Sequence, residues 1–395
     1  MKYPLEGIRV VDFTQYQQGP VCTLMLADWG ADVIKVETPG IGDPARTLGP
    51  RGPKGLRSGY FETNDRNKRS IVVDVKKEKG KEIIYKLVKK ADIFAQNFRP
   101  GVIERLGFGY EALSRINPRI ICLNGSGFGR KGPLRERPGY DTVGQAMGGI
   151  MSIVTGPPDS PPQLVGAGVC DQTGGYLLCL GALLALIDRE RTGEGQEVDM
   201  SLIASALALQ GHTFQSYLLT GQIPKKRRGR VSPAIFCAGF KARNGKYFIV
   251  NTADIEKREK VFEIAGLDRD PSRFETWEKI DQNHEKALAA LDAAFVARPR
   301  DEWLKKLIEA DVVCAPIYDY AEIAADPQVI ENEYIVEVNH PTEGRIRVSN
   351  NPIQLSKRRP KIGVAPELGQ HTDEVLREVG YSKAEIANLR EQKVI

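Results

Sequence analysis

Two hydrophobic periods alternate along the first part of the chain. Within residues 7–37, GIRVVDFTQYQQGPVCTLMLADWGADVIKVE, a short apolar run covers 8–13. A helix-spaced pattern opened by Gly19 and Pro20 covers 19–29, and a second short run covers 31–37. Short apolar runs bounded by turn residues read as strands and the spaced pattern as a helix, so this stretch predicts a βαβ unit of an open parallel sheet. The alternation continues with a strand at 70–75, a Lys-rich amphipathic helix at 78–90 and a strand at 91–95. A short helix carrying Arg105, a strand at 119–124 and a helix within PGYDTVGQAMGGIMSIV follow. Strand–helix alternation through residue 200 predicts an α/β fold. A dinucleotide-binding sheet would carry GxGxxG at its first turn. Here the turn is TQYQQGP, so the reading is Rossmann-like architecture without the pyrophosphate fingerprint. Ligands bind off the carboxyl ends of such strands, which places Gln15, Tyr16, Gln17 and Gln18 where a ligand is expected. Residues 38–66, rich in Gly, Pro and Arg, read as a long surface loop.

The stretch 166–187, GAGVCDQTGGYLLCLGALLALI, sets one acid, Asp171, between small residues and an apolar run. The pattern reads as loop, helix start and buried helix. Two roles fit Asp171. As an N-cap its carboxylate accepts bonds from the first helical amides. As a nucleophile it attacks a carbonyl and holds the acyl group as a mixed anhydride, with the helix-start amides and the bare Gly174 and Gly175 suited to the oxyanion. Local pattern alone leaves both open. Downstream come a turn and strand in RTGEGQEVDMSL, a helix at 201–219, and the basic run KKRRGR at 225–230. A hairpin at 234–251 follows, with Asn244-Gly245 as a type I′ turn. Helices at 256–265, 283–297 and 301–310 and a strand at 312–317 complete that part. The tail shows strands near 334–338 and 345–349 and helices at 371–379 and 382–392. The expected organisation is a large Rossmann-like domain from 1–200 with 331–395, a smaller α+β domain at 225–330, and 201–224 as a connecting helix or linker.

Composition changes this picture little. At 395 residues the chain exceeds one ordinary core, and 41% hydrophobic with 27% charged residues is a globular composition. A net charge of +5 permits a small polyanion but gives no nucleic-acid-binding signature. Six scattered cysteines with no CxxC pair give no zinc signature and fit reduced thiols. Cys170 reads as a buried small residue. The apolar run 176–187 falls short of the roughly 20 residues a membrane span needs, and no leader pattern precedes the first strand. The expectation is a cytoplasmic protein with no membrane, nucleic-acid or metal partner.

Arg99 and Arg105 bracket the end of one strand and suit phosphates, and Arg227 and Arg228 of the basic run suit an acidic ligand. At this point the sequence resembles the class III coenzyme A transferases, the formyl-CoA and carnitine CoA-transferase family of CaiB/BaiF type, over essentially its full length. The blocks that carry the resemblance are GIRVVDFT with Gln17 and GPVCT after it, LADWGADVIKVE, NKRSIVVDVK, NFRPGVIERLGFGYEAL, NPRIICLNGSGFG, GYDTVGQAMGG, CDQTGG, RTGEGQEVDMSL and LGQHTDEVL. The resemblance implies that Asp171 is the catalytic nucleophile. It implies coenzyme A contacts at Gln17, Gln18, Val73, Asp74, Lys76, Asn97, Phe98, Arg99, Arg105 and Tyr140; substrate contacts at Tyr16, Arg227 and Arg228 are a separate expectation from the ligand-side loop and the basic run. Two positions depart from relatives: Thr38 stands where some carry an arginine, and Pro138 where some carry a lysine. The resemblance further implies a ring-shaped chain in an interlocked dimer, either a homodimer or a heterodimer with a paralogous subunit. Coenzyme A and its acyl thioesters serve as substrates, and no cofactor is tightly bound. No tetraglycine run is present, and PKKRRGRVSPAIFCAGF resembles the carnitine branch. The 2-methylacyl-CoA racemases share the fold and use a His–Asp pair. Their histidine falls at Tyr140, and a phenol titrating near about 10 is a poor base at neutral pH. Acyl transfer is therefore expected ahead of racemisation.

Overall fold

The computed structural model describes residues 3–52, 58–154, 156 and 159–395. Its elements run β1 (Arg9–Asp12), α1 (Gln18–Asp28), β2 (Asp32–Glu37), α2 (Gly59–Asp65), β3 (Arg69–Val72), α3 (Glu78–Val88), β4 (Ile93–Gln96), α4 (Val102–Arg105), α5 (Tyr110–Ile116) and β5 (Ile121–Ser126). Then follow α6 (Asp141–Met147), α7 (Ile150–Ile153), α8 (Val169–Thr192), β6 (Glu197–Ser201), α9 (Leu202–Gln210), α10 (His212–Thr220), β7 (Arg230–Val231), β8 (Phe236–Lys241) and β9 (Tyr247–Thr252). The remainder is α11 (Ile255–Ile264), α12 (Trp277–Phe295), α13 (Arg300–Glu309), β10 (Cys314–Ile317), α14 (Tyr320–Ala325), α15 (Pro327–Glu331), β11 (Ile335–His340), β12 (Gly344–Ser349), α16 (Thr372–Glu378) and α17 (Lys383–Glu391).

The chain divides into two compact units. One comprises 1–152, 163–222 and 333–395, the other 153–162 and 223–332. The helices of the segment expected to connect domains, α9 and α10, thus cluster with the larger unit. That unit is built on a six-stranded sheet in the order β3-β2-β1-β4-β5-β6, with every pairing parallel. Consecutive strand residues point to opposite faces, and both faces are apolar. Val11, Ile34, Ile71 and Phe94 pack under α3, α16 and α17, whereas Val10, Val33, Ile93 and Ile121 pack under α1 and α8. A sheet covered on both sides reads as continuous apolar runs, the pattern seen in the sequence. The order reverses between β1 and β4, and the crevice at that switch point is where open α/β sheets take ligands. The smaller unit is an antiparallel sheet, β10-β9-β8-β7, with α11, α12 and α13 around a phenylalanine-rich core.

Four local expectations are corrected. The 38–66 stretch is not a surface loop. Asp43, Ser58, Asn64, Asp65 and Arg66 are buried there and α2 crosses it, while 53–57 lie outside the described residues. Its charges are internal because they are paired: Lys35 with Asp43, Lys68 with Asp65, Arg66 with Asp28, and Arg46 with Glu37. The helix at 201–219 is two helices, broken where Gly211 takes φ +49°. The hairpin turn is not type I′, because only Gly245 takes positive φ. Its N–H donates to Ala242 O at 3.0 Å and the Ala242 N–H donates to Lys246 O at 2.9 Å, a type I turn closed by a glycine bulge. The apolar run at 176–187 belongs to the longer α8, which by length and composition alone could cross a membrane. In the fold α8 packs on α1, α6, α9, β5 and β6 as a core helix.

Candidate active site

Gly168 is the N-cap of α8 and has no side chain to make a cap bond. Asp171 is its third helical residue, not the N-cap. The cap comes from another element: Asp141, in the first turn of α6. Its Oδ1 accepts the Cys170 and Asp171 N–H groups at 2.7 and 3.0 Å. Its Oδ2 accepts from Gln145 Nε2 at 2.6 Å, and Gln145, almost fully buried, also bonds Val165 and Ala167. Two helix starts and the loop leading into α8 are thereby fixed together. The Asp171 carboxylate itself accepts no hydrogen bond among the described residues. Burial, and next the nearby Asp141, push its carboxyl up to about 7. Burial pushes the neighbouring Cys170 thiol up to about 12, in line with its reading as an inert core residue.

Asp171 opens onto a cavity of about 270 Å³ at the switch point of the sheet. The loop after β1 contributes Tyr16, Gln17 and Gln18. The loop after β4 contributes Asn97, Phe98 and Arg99, and the segment before α6 contributes Arg137 and Tyr140. With Gln15, which also lines it, nine of the residues anticipated from sequence therefore share one cavity. Val73, Asp74, Lys76 and Arg105 do not line it. Val73 is part of the core and Asp74 donates its N–H to Val394 O, although both follow the carboxyl end of β3 on the same edge. Arg105 lies one turn beyond Arg99, in α4.

Arg227 and Arg228 are committed elsewhere. In the smaller unit Arg227 pairs with Asp281, and Arg228 pairs with Asp292 through both of its terminal nitrogens and bonds Gly239 O. Lys225 joins Asp281, and Lys226 bonds the Ser160 and Pro161 carbonyls. Both arginines thus make ion pairs within their own unit, and neither lines the cavity at Asp171. Gly174 and Gly175 do not open the cavity either. A Cβ at Gly175 would fall 2.6 Å from Val21, and one at Gly174 would fall 2.7 Å from Gln18 Nε2 and from Ser205 Oγ. They let α1 and α9 approach α8.

Three residues escaped the sequence reading. Tyr60, on α2, donates its hydroxyl to Gln17 Oε1 at 3.0 Å, and its phenol is held far above the usual range by burial, with Asp171 adding to it. It was hidden in the supposed surface loop. Asp141 was legible as the acid after Tyr140, but its capping of a distant helix was not. Arg137 brings a cation to the cavity next to Pro138. Gln18 adds a chemical detail: it is buried, and its Nε2 has no partner among the described residues.

The described residues thus bring a part-buried carboxylate at a helix start together with carboxamides and two arginines around one cavity. The chain belongs to CoA-transferase family III, whose model matches residues 5–372. It is 38% identical over 359 residues to an acetyl-CoA:oxalate CoA-transferase of Acetobacter aceti, covering 90% of each chain. It is 36% identical over 381 residues to the human succinyl-CoA:glutarate CoA-transferase, covering 95% of this chain and 86% of the other. A succinyl-CoA–D-citramalate CoA-transferase of Chloroflexus aurantiacus is 35% identical over 399 residues, with 99% and 98% covered. Among solved structures, a CaiB/BaiF family protein of Brucella suis superposes with a TM-score of 0.85 at 34% identity, covering 96% of this chain and all of that one. The protein is a class III CoA-transferase.

Proposed function

We propose that the enzyme moves coenzyme A from an acyl-CoA donor to a dicarboxylic acid acceptor through covalent intermediates on Asp171. The observation that carries the reading is the Asp171 carboxylate: without a hydrogen-bond partner among the described residues, part-buried, and facing a cavity lined by Gln17, Gln18, Arg99 and Arg137. A carboxylate oxygen attacks the thioester carbonyl, the C–S bond breaks, and CoA leaves as thiolate, giving an acyl-aspartyl anhydride. The thiolate attacks the aspartyl carbonyl and expels the donor acid, leaving an aspartyl-CoA thioester. The acceptor carboxylate attacks that thioester and forms a second anhydride. The returning thiolate then takes the acceptor's acyl group and frees Asp171. Gln18 Nε2, buried without a partner, is an available donor to the oxyanions, and Tyr60 orients the Gln17 amide beside it. Arg99 and Arg137 suit the phosphates of coenzyme A. The Val73, Asp74, Lys76 and Arg105 positions would serve a longer reach of the nucleotide along the sheet edge.

The acceptor is read as a dicarboxylate, rather than a carnitine-like betaine, because the relatives above are named for oxalate, glutarate and citramalate. Racemisation is disfavoured by Tyr140 at the base position. The interlocked dimer and a cytoplasmic location belong to this reading. An exposed apolar stripe on α8, formed by Tyr176, Leu180, Leu184 and Ile187, supports burial against a second copy. A donor–acceptor panel of acetyl- and succinyl-CoA with dicarboxylates and carnitine, read by mass spectrometry, tests the substrate class. New dicarboxylyl-CoA products are expected, and exchange confined to carnitine would reverse the assignment.

A further inference from the structure

The loop from β1 to α1 brings Tyr16, Gln17 and Gln18 to the cavity, yet three consecutive amides in it find no backbone partner. Side chains hold them instead. The Thr14 N–H donates to Asp12 Oδ1 at 2.8 Å, the Gln15 N–H to Asn97 Oδ1 at 2.8 Å, and the Tyr16 N–H to Asp43 Oδ1 at 3.2 Å. Asn97 Nδ2 returns a bond to Gln15 O at 2.8 Å, so its carboxamide is occupied at both ends by the loop. Lys35 Nζ holds Thr14 O at 2.9 Å and Asp43 Oδ2 at 2.8 Å, and both Lys35 and Asp43 are buried. Tyr16 takes φ +65°, a left-handed conformation that crowds a residue with a Cβ. In that conformation its ring meets Tyr140 edge-on at 5.9 Å, and the next residue, Gln17, lies against Gly168, where a Cβ would sit 2.9 Å from Gln17 Oε1.

We propose that Asp43 is a positioning residue for the transfer reaction: by accepting the Tyr16 amide while anchored on Lys35, it holds the left-handed backbone that sets Tyr16 and Gln17 toward Asp171. The inference rests on the transferase reading above. Asp43 also caps the turn at Pro44–Thr47 by accepting the Ala45 N–H at 2.9 Å, so a bland structural role is its competitor. The two differ in what glycine at position 16 does. Glycine adopts positive φ unaided, so it removes the need for Asp43 as a conformational clamp but not as a fold element.

The experiment is a double-mutant cycle of Asp43→Ala and Tyr16→Gly, with Asp43→Asn and Asp171→Ala measured alongside. Asp43→Ala lowers kcat by roughly 10- to 100-fold, the scale of a small misplacement of aligned groups, with the donor KM within about threefold of wild type because Phe98 and Arg99 are untouched. In the Tyr16→Gly background the same change alters kcat by less than about threefold. Asp43→Asn keeps the acceptor oxygen for the Tyr16 amide but loses the Lys35 ion pair, so its kcat falls less than that of Asp43→Ala. Hydrogen exchange of the peptide covering 13–18 quickens in Asp43→Ala and less in Asp43→Asn. An equal kcat loss in both backgrounds overturns the proposal, as does a fall in Tm with kcat and exchange unchanged. If Asp43→Ala does not fold, a loss of kcat in Asp43→Asn without faster exchange overturns it too. A dead Asp171→Ala with no coupling in the cycle sinks only the role of Asp43. An active Asp171→Ala sinks the transferase mechanism, and the exchange data then decide on Asp43 alone.

Discussion

The working state of Asp171 follows from where its charge sits. Burial and the nearby Asp141 raise its carboxyl to about 7, while the attacking form is the carboxylate. Exchange should therefore rise with pH through about 7. Asp141→Asn removes the like charge and moves that rise to lower pH, and a pH–kcat profile of the two proteins checks it. The same shift has a stability sign. An acid whose folded value lies above its ordinary value of about 4 opposes folding once the pH passes that ordinary value, and the opposition is complete above about 7. Asp171→Asn should then unfold at a higher urea concentration than wild type at pH 8, with the gap closing by pH 4. A gap that widens as pH falls would mean that the ionised carboxylate is stabilised in the fold. The stability given up here is the expected cost of a reactive group kept unpaired.

Helix packing positions that group, and the fit of α1 on α8 is close enough to break with one carbon. Gly175→Ala puts a Cβ 2.6 Å from Val21 and 2.7 Å from the Gln18 carbonyl. A loss of about 1–3 kcal/mol in urea unfolding is expected, as for overpacked cores. At this scale the sequence was legible where one period ruled. The inner strands of the sheet and α1 appear as apolar runs, because burial on both faces leaves few polar interruptions, while α3 shows a helical period because only one of its faces is buried. It was illegible where burial depends on a charged partner in another element of the fold. Asp43, Asp65 and Arg66 look like surface residues until Lys35 of β2 and Asp28 of α1 are brought to them, and α2 with Tyr60 was lost for the same reason. Asp141 capping a helix that starts 28 residues later has no local signature. Asp171 itself was visible locally only as a choice between cap and nucleophile, and the nucleophile reading came from the CDQTGG block within a family pattern.

For the whole molecule, the apolar stripe Tyr176, Leu180, Leu184 and Ile187 is too large to leave in water without a reason. If a second copy covers it, Leu184→Asp should shift the protein from dimer to monomer or to aggregate in sedimentation velocity, whereas an unaltered dimer would place the interface elsewhere. Every other element of the account serves one carboxyl group, and the most direct test addresses that group. Mixing the enzyme with an acyl-CoA, quenching within one turnover and digesting it should give a peptide containing Asp171 that carries the mass of the acyl group or of coenzyme A. The adduct should be labile to hydroxylamine and absent in Asp171→Ala, whose exchange rate should fall on the order of a thousandfold or more. Steady transfer by wild type with that peptide never modified, or undiminished transfer by Asp171→Ala, would contradict the account.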